Sequence, residues 1–217
     1  LIKDFKIDSG KTRKVLHGID HETFHPIPSI KRKNNQLITT ASADVPLKGL
    51  IYLIRAYSVL LKEFPDLKLT VIGRLREGPT DQELKKEGIK DKVKFVSDLT
   101  GREIAELYAE STIAISPSVY EGFGFPAGEA MSCGIPLISS NGGSLPEVIG
   151  DAGIIVPHSD PKALKDAVSS LLKSPERQLE LGERGRKRVL EKFTWKRAAK
   201  ELVEIYREAI DNANNRS

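Results

Sequence analysis

The chain has 217 residues, enough for one large domain or two small ones, and its 39% hydrophobic and 29% charged residues suit a globular protein rather than a disordered one. A formal charge of +4 is a mild bias, which fits either a site for an anionic small molecule or solvated Lys/Glu helix faces; with 6% aromatics there is no clustered basic, aromatic-bearing stripe for nucleic acid. The single cysteine, Cys133, excludes an internal disulfide and disfavours a Cys-based zinc site, the apolar runs are too short to span a membrane, and no secretory signal is visible, so a cytoplasmic setting is expected.

Residues 1–26 hold one short apolar segment, "KVLHGI", followed by a turn, and do not read as the start of a fold; "SIKRKNNQ" reads as a surface loop. Regular alternation follows. "LITTAS" (Leu37–Ser42) is a short β-branched strand, and the next segment places Leu50, Leu53, Ile54, Tyr57, Leu60, Leu61 and Phe64 at helical spacing. "LKLTVIG" (Leu67–Gly73) is a strand, Asp81–Glu87 a charged helix, "KVKFVS" a strand, "GREIAELYAES" a helix, and "TIAISPS" a strand that runs into "SVYEGFGFPAGEA". A helix is expected from Pro126 to Cys133, because proline suits a first helical position and Gly134 a helix end. "IPLISS" and "AGIIVP" are strands with a short helix from Pro146 between them; Lys162–Lys173 is an amphipathic helix, and Pro175–Asn212 keeps helical spacing with a break near "KFTW". About six β-α units predict an α/β fold, a doubly wound parallel sheet covered on both faces, in a single domain over 1–217.

Ligands of such sheets bind beyond the carboxyl ends of the strands. The loops expected there are "ADVPLKG", "GRLREG", "SVYEGFGFPAGEA" and "SSNGGSLPE". Gly122 and Gly124 precede a helix N-terminus, where main-chain N–H groups can face a ligand with no Cβ in the way and where the helix end favours phosphate. Glu121 stands before that helix, and Glu129 is expected in its first turn. Carboxylates only accept hydrogen bonds, so the pair suits a hydroxyl-rich partner. A sugar attached to a nucleoside diphosphate is negative at one end and hydroxylated along the rest. In "NGGSLPE", Gly142 and Gly143 leave the backbone open, Ser144 can cap, and Glu147 rides on the helix that follows. Lys48 supplies a point charge for phosphate, and Arg74, directly after Gly73, a bidentate contact.

Each feature also has a plain structural reading. A Gly-Pro loop before a helix can be only a turn, Glu129 can complement the helix dipole, and Lys48 and Arg74 can be solvated surface residues. His17, His21, His25 and His158 read as turn or surface residues without metal-ligand spacing, and Cys133 as buried packing. Two motifs fail. "DSGKT" has Phe5 where a phosphate loop needs glycine, and "GFGFPAG" has the wrong third spacing for a dinucleotide fingerprint.

"EGFGFPxxEAMxxGIP" with "GGxxPE" resembles the C-terminal, donor-binding domain of group 1, or family four, retaining GT-B glycosyltransferases, with Glu121 and Glu129 matching that family's E-x7-E motif. "VLHGIDHETFHP", "PLKGLIYLIRAY", "LYAESTIAISPS" and "FTWKRAAKELVEIYREA" resemble further family segments, so the likeness covers nearly the whole chain. It implies a Rossmann-like half of a GT-B fold, with a terminal crossover helix and tail over 194–217 returning to an absent N-terminal domain that supplies the acceptor site. It implies that Glu121 is catalytic and contacts the donor hexose hydroxyls, and that Glu129 binds the ribose. The amides of Gly124 and Phe125, in a loop shared with Gly122 and Phe123, would meet sugar and diphosphate. Lys48 would neutralise the diphosphate, and the loop at Val96 and Ser97 would contact the base. No metal or other cofactor is implied beyond the nucleotide-sugar donor. The pattern departs at Ala43, where the family usually has arginine, so Arg74 is expected to compensate. Rival readings are an epimerase or phosphorylase half-domain, a stand-alone nucleotide-sugar-binding module, and a non-catalytic interaction domain. The mild basicity would help approach to an anionic membrane, though no segment amounts to an anchor.

Overall fold

The computed structural model describes residue 10, residues 12–41 and residues 45–214. Its strands are β1 (Gln36–Thr40), β2 (Lys68–Ile72), β3 (Val93–Val96), β4 (Ile113–Ser116), β5 (Leu137–Ser140) and β6 (Ile154–Val156). Its α-helices are α1 (Leu50–Glu63), α2 (Pro79–Lys86), α3 (Gly101–Glu110), α4 (Phe125–Ser132), α5 (Leu145–Ile149), α6 (Pro161–Leu172), α7 (Pro175–Lys192) and α8 (Trp195–Asn214). The strands pair in parallel in the order β3-β2-β1-β4-β5-β6, the predicted doubly wound Rossmann-like sheet.

The central strands are apolar runs because both faces of the sheet are covered. Side-chain alternation then sorts neighbours into two cores. Leu37, Ile113 and Ile138 join one core with Leu53, Tyr57 and Leu60 of α1 and Val168 of α6. Ile38, Ala114 and Leu137 join the other with Tyr108 of α3, Met131 of α4 and Val189 of α7. Sheet order reverses between β1 and β4. The chain winds outward from β1 through β2 to β3, then returns to lay β4 on the other side. A crevice therefore opens beyond the carboxyl ends of β1 and β4.

Residues 1–26 are corrected in part. Ile19 and Phe24 are buried, the Ile19 N–H donates to the Phe193 carbonyl at 2.7 Å, and Ile19 bridges Thr194. Their partners stand at the far end of the chain, so no local periodicity could announce them. This segment helps to hold α4: a Cβ on Gly128 would meet Ile19 Cδ1 at 2.6 Å. From the other side α7 presses in, with Gly182 directly against the Gly134 carbonyl, while Arg186 Nη1 donates to the carbonyls of Ser132 (2.8 Å) and Phe24 (3.0 Å). The seat of α4 is thereby set by one backbone-to-backbone contact and by the side chains of Ile19 and Arg186. Only Ala198 of α8 is buried, and Trp195, Leu202, Val203, Tyr206 and Ile210 are exposed. No described helix is long and apolar enough to cross a membrane.

Gly182 sets two effects against each other. Alanine is favoured over glycine inside a helix by about 1 kcal/mol. A Cβ there would lie 2.3 Å from the Gly134 carbonyl oxygen, a backbone atom that cannot move aside cheaply. Sterics should win: Gly182→Ala is expected to cost about 2 kcal/mol or more in thermal or urea unfolding. Gly88→Ala is the comparison, since it has a positive φ of 67° with open space around it; it is expected to cost about 1 kcal/mol. A Gly182→Ala chain as stable as its parent would refute this account of the α4–α7 contact.

Candidate functional site

Three loops meet at the crevice, and glycines let them touch. After β1, a single 3-10 turn (Pro46–Lys48) ends at Gly49, whose φ of 65° turns the chain into α1. A Cβ on Gly49 would lie 2.0 Å from the Pro117 carbonyl oxygen in the loop after β4. The Val119 N–H donates to the Leu47 carbonyl at 2.8 Å, which ties the same two loops together. From the loop after β5, Gly142 lies against the carbonyls of Ser118 and Val119, and Gly143, at φ 62°, against that of Glu121. The open backbone expected at Gly142 and Gly143 is therefore corrected, because their missing Cβ atoms make room for a neighbouring main chain. Ser144 is the N-cap residue of α5, but its side chain makes no capping bond; its N–H and Oγ donate to the Glu121 carbonyl at 3.0 and 3.1 Å.

This stack holds Glu121. Its Oε1 accepts from Lys48 Nζ at 2.7 Å and from Ser118 Oγ at 2.8 Å. The Glu121 side chain is 12% exposed and that of Lys48 31%, so the pair is shielded but can be reached from solvent. Gly122 stands in open space. Gly124 is the N-cap of α4 at φ 95°, and a Cβ there would strike Leu145 at 2.7 Å, which is why this helix entry needs glycine. The first turn of α4 contains no acidic residue, so its N-terminal N–H groups face the crevice without a built-in anion.

Glu129 is corrected in position. Helix α4 starts at Phe125, which puts Pro126 second and Glu129 fifth, beyond the first turn and away from the dipole's end. Its carboxyl makes no hydrogen bond or ion pair among the described residues. Burial, followed by the nearby charge of Asp20, pushes it up to about 7. The Asp20 carboxylate itself is held low by hydrogen bonds from Thr23. Beside Glu129, burial also drives the Tyr108 phenol far up, and its hydroxyl links Thr40 (3.1 Å) to the Pro126 carbonyl (3.3 Å), fixing α4 to β1 and α3. Cys133 is buried packing as read, its thiol pushed up to about 12 by burial.

The remaining predicted residues lie farther out along the same edge. Arg74 follows β2 and Ser97 follows Val96 at the end of β3, one and two strands from β1. Arg74 is exposed and engaged: Nη2 donates to both Asp98 carboxylate oxygens at 2.7 and 2.6 Å, and Nε to Ser97 Oγ at 3.3 Å. Ala43 lies outside the described residues. Lys48 and Glu121 are thus brought into contact, while Arg74, Val96 and Ser97 form a separate group.

Sequence reasoning missed two features. Ser118 is buried beside Glu121, and its only signal was its place three residues ahead of that acid. The exposed His17 was read as a surface residue, yet its ring packs on Phe123 (5.1 Å between centroids) and Phe125 (5.6 Å), with Trp195 at 6.4 Å. Phe123 also meets the buried Phe193 at 5.8 Å, so the glycine-rich loop is anchored to the C-terminal end of α7. Nothing local to either segment records that contact.

The raised Glu129 has a sign that can be tested. Between its ordinary value of 4.5 and about 7, the folded chain keeps a proton that the unfolded chain has lost, so the stability contributed there falls as pH rises. Glu129→Gln is expected to flatten that fall and to unfold at higher temperature than the parent near pH ~8, where each pKa unit corresponds to about 1.4 kcal/mol. Thermal unfolding from pH ~5 to ~8 reads it directly; equal slopes for variant and parent would remove Glu129 as the cause.

The family model for group 1 glycosyl transferases matches residues 21–188. A MMP alpha-(1->4)-mannosyltransferase of Mycolicibacterium hassiacum is 38% identical over 214 residues, covering 97% of this chain and 51% of the relative. The chain spans about half the length of the curated relatives it matches. The crystal structure of the C-terminal domain of a group 1 glycosyl transferase, LpcC from Francisella tularensis, superposes with a TM-score of 0.68 at 26% identity, over 81% of this chain and 98% of that one. Anabaena Alr3699/HepE, solved in complex with UDP and glucose, shares the fold with a TM-score of 0.79 at 18% identity, over 92% of this chain and 57% of that one. With the sheet order, these matches show that the chain belongs to the group 1 glycosyl transferases.

Proposed function

We propose that this chain is the donor-binding half of a retaining glycosyltransferase and holds a nucleoside-diphosphate sugar whose hexosyl group the whole protein passes to an acceptor hydroxyl. The observation that carries the reading is the contact between Lys48 and Glu121, a cation and a carboxylate from two different loops, in the crevice where the sheet order reverses. Placed there, the ammonium suits a diphosphate and the carboxylate suits sugar hydroxyls. The N-terminal N–H groups of α4, that of proline at the second position being absent, would serve the phosphate oxygens. The Anabaena neighbour solved with UDP and glucose supports a ligand of this kind.

On this reading Glu121 is the catalytic candidate, bound to the hexose hydroxyls, and Glu129 accepts from the ribose. Gly122, Phe123, Gly124 and Phe125 line the sugar and diphosphate, and Val96 and Ser97 meet the base. Glu129 would have to lose its proton to accept from two hydroxyls, which ties donor binding to pH. Arg74 reaches a phosphate only by exchanging Asp98 for it. Cationic side chains and the helix end, in place of a metal, offset the charge on the leaving diphosphate. On the same reading the other half of the whole protein would supply the acceptor site, and the exposed apolar side of α8 is available to it. Alone, this half would bind donor without turning it over, because transfer needs the acceptor held against the anomeric carbon.

A thermal-shift panel with UDP, GDP, ADP and their sugar conjugates tests the reading. A ligand present at a hundred times its dissociation constant should stabilise the chain by about 2.7 kcal/mol. Lys48→Ala is expected to weaken the diphosphate and the sugar conjugate together, by tenfold or more for one lost charged contact. The absence of any shift across the panel would transfer the lead to the non-catalytic interaction domain.

A further inference from the structure

We infer that Ser118 is a positioning residue for Glu121, the group that holds this carboxylate in orientation when Lys48 turns to the donor's diphosphate. The inference rests on the donor-binding reading and deepens it. Two donors, Lys48 Nζ and Ser118 Oγ, converge on one oxygen, Oε1, and among the described residues nothing donates to Oε2. The carboxylate is thus gripped on one side and presented on the other.

The two donors differ in their freedom. Lys48 is partly exposed, at the end of a flexible four-carbon chain. A diphosphate bound in the crevice competes with Glu121 for that ammonium. Ser118 has no such alternative. It is 3% exposed, its carbonyl accepts a short hydrogen bond from Ser140 Oγ, and the main chain of Gly142 packs against the same carbonyl. Next to it, Pro117 is wedged against Gly49. A hydroxyl on so fixed a backbone can keep Oε1 in place whichever partner Lys48 takes. Without it, Glu121 would have to find its orientation as the sugar arrives, and that ordering would weaken sugar binding while leaving the diphosphate end untouched.

The test separates those two ends. Affinities of the chain for UDP, GDP, UDP-glucose and GDP-mannose are measured by calorimetry for the parent, Ser118→Ala, Glu121→Ala and the double variant. Ser118→Ala is expected to bind the free diphosphate within about twofold of the parent and the sugar conjugate roughly tenfold more weakly, the usual worth of one charge-assisted hydrogen bond. In the Glu121→Ala background the same substitution is expected to have no further effect, because the two residues act as one unit. Equal weakening of diphosphate and sugar conjugate by Ser118→Ala would mark a loop brace and overturn the inference. So would an unchanged sugar affinity, or a loss that persists in the absence of Glu121. If the parent binds none of the four compounds, the donor reading falls first and takes this inference with it, an outcome distinct from the other three.

Discussion

The site depends on how closely three loops approach one another at the carboxyl edge of the sheet. Gly49, Gly142 and Gly143 each lie where a Cβ would come within 2.0 to 2.4 Å of a carbonyl oxygen in the Pro117–Glu121 segment. Contacts that short allow no side chain at all. Their consequence is rigidity, because a loop clamped from both sides by main chain cannot relax without opening the stack. Glu121 thus sits on the most constrained backbone of a glycine-rich loop. Of these loop glycines, Gly122, with nothing within 4 Å of where a Cβ would stand, has the open surroundings usually associated with such loops.

The two acids of the motif have opposite electrostatic settings, although sequence spacing presents them as a pair. Glu121 is compensated by an ammonium and a hydroxyl. Among the described residues Glu129 has no hydrogen-bond or ion-pair partner, and burial, with the nearby Asp20 charge, raises it toward neutrality. The difference originates in α4. The contact of Gly182 with Gly134, the Ile19 side chain under Gly128 and the Arg186 guanidinium on Ser132 fix that helix in one place. A helix held so firmly can carry an uncompensated carboxyl inward, where a loosely packed one would rotate it out to water.

Family membership and the half-length match agree with the surface of the molecule. The domain packs two full cores around its sheet, yet leaves α8 with a row of exposed apolar residues from Trp195 to Ile210. At the near end of that helix the Trp195 ring borders His17, which touches Phe123 and Phe125. The glycine-rich loop, the N-terminal segment and the last helix therefore meet in one aromatic cluster. The exposed face of α8 begins two ring contacts from the loop at the crevice.

The sequence alone determined the parallel sheet, the order of its elements and the two acids, because all of these follow from local signals. Apolar runs bounded by glycine and proline mark buried strands, helical spacing marks α1 and α6, and the E-x7-E spacing with its glycines is contiguous. Element ends were legible to within one to three residues, as at α4, which starts at Phe125 rather than Pro126. Tertiary structure alone decided what each glycine was for, since Gly142 and Gly124 look alike in sequence and only the neighbour across the gap tells a main-chain contact from a helix entry. It also decided that Ile19 belongs to the core, that Ser118 faces Glu121, that Arg74 is taken by Asp98, and that Glu129 lies beyond the first turn of α4. Ile19 and Arg74 depend on contacts between distant elements, and a local pattern carries no record of which distant surface will arrive; Ser118 and Glu121 stand only three residues apart, but the loops clamped around them set how they face.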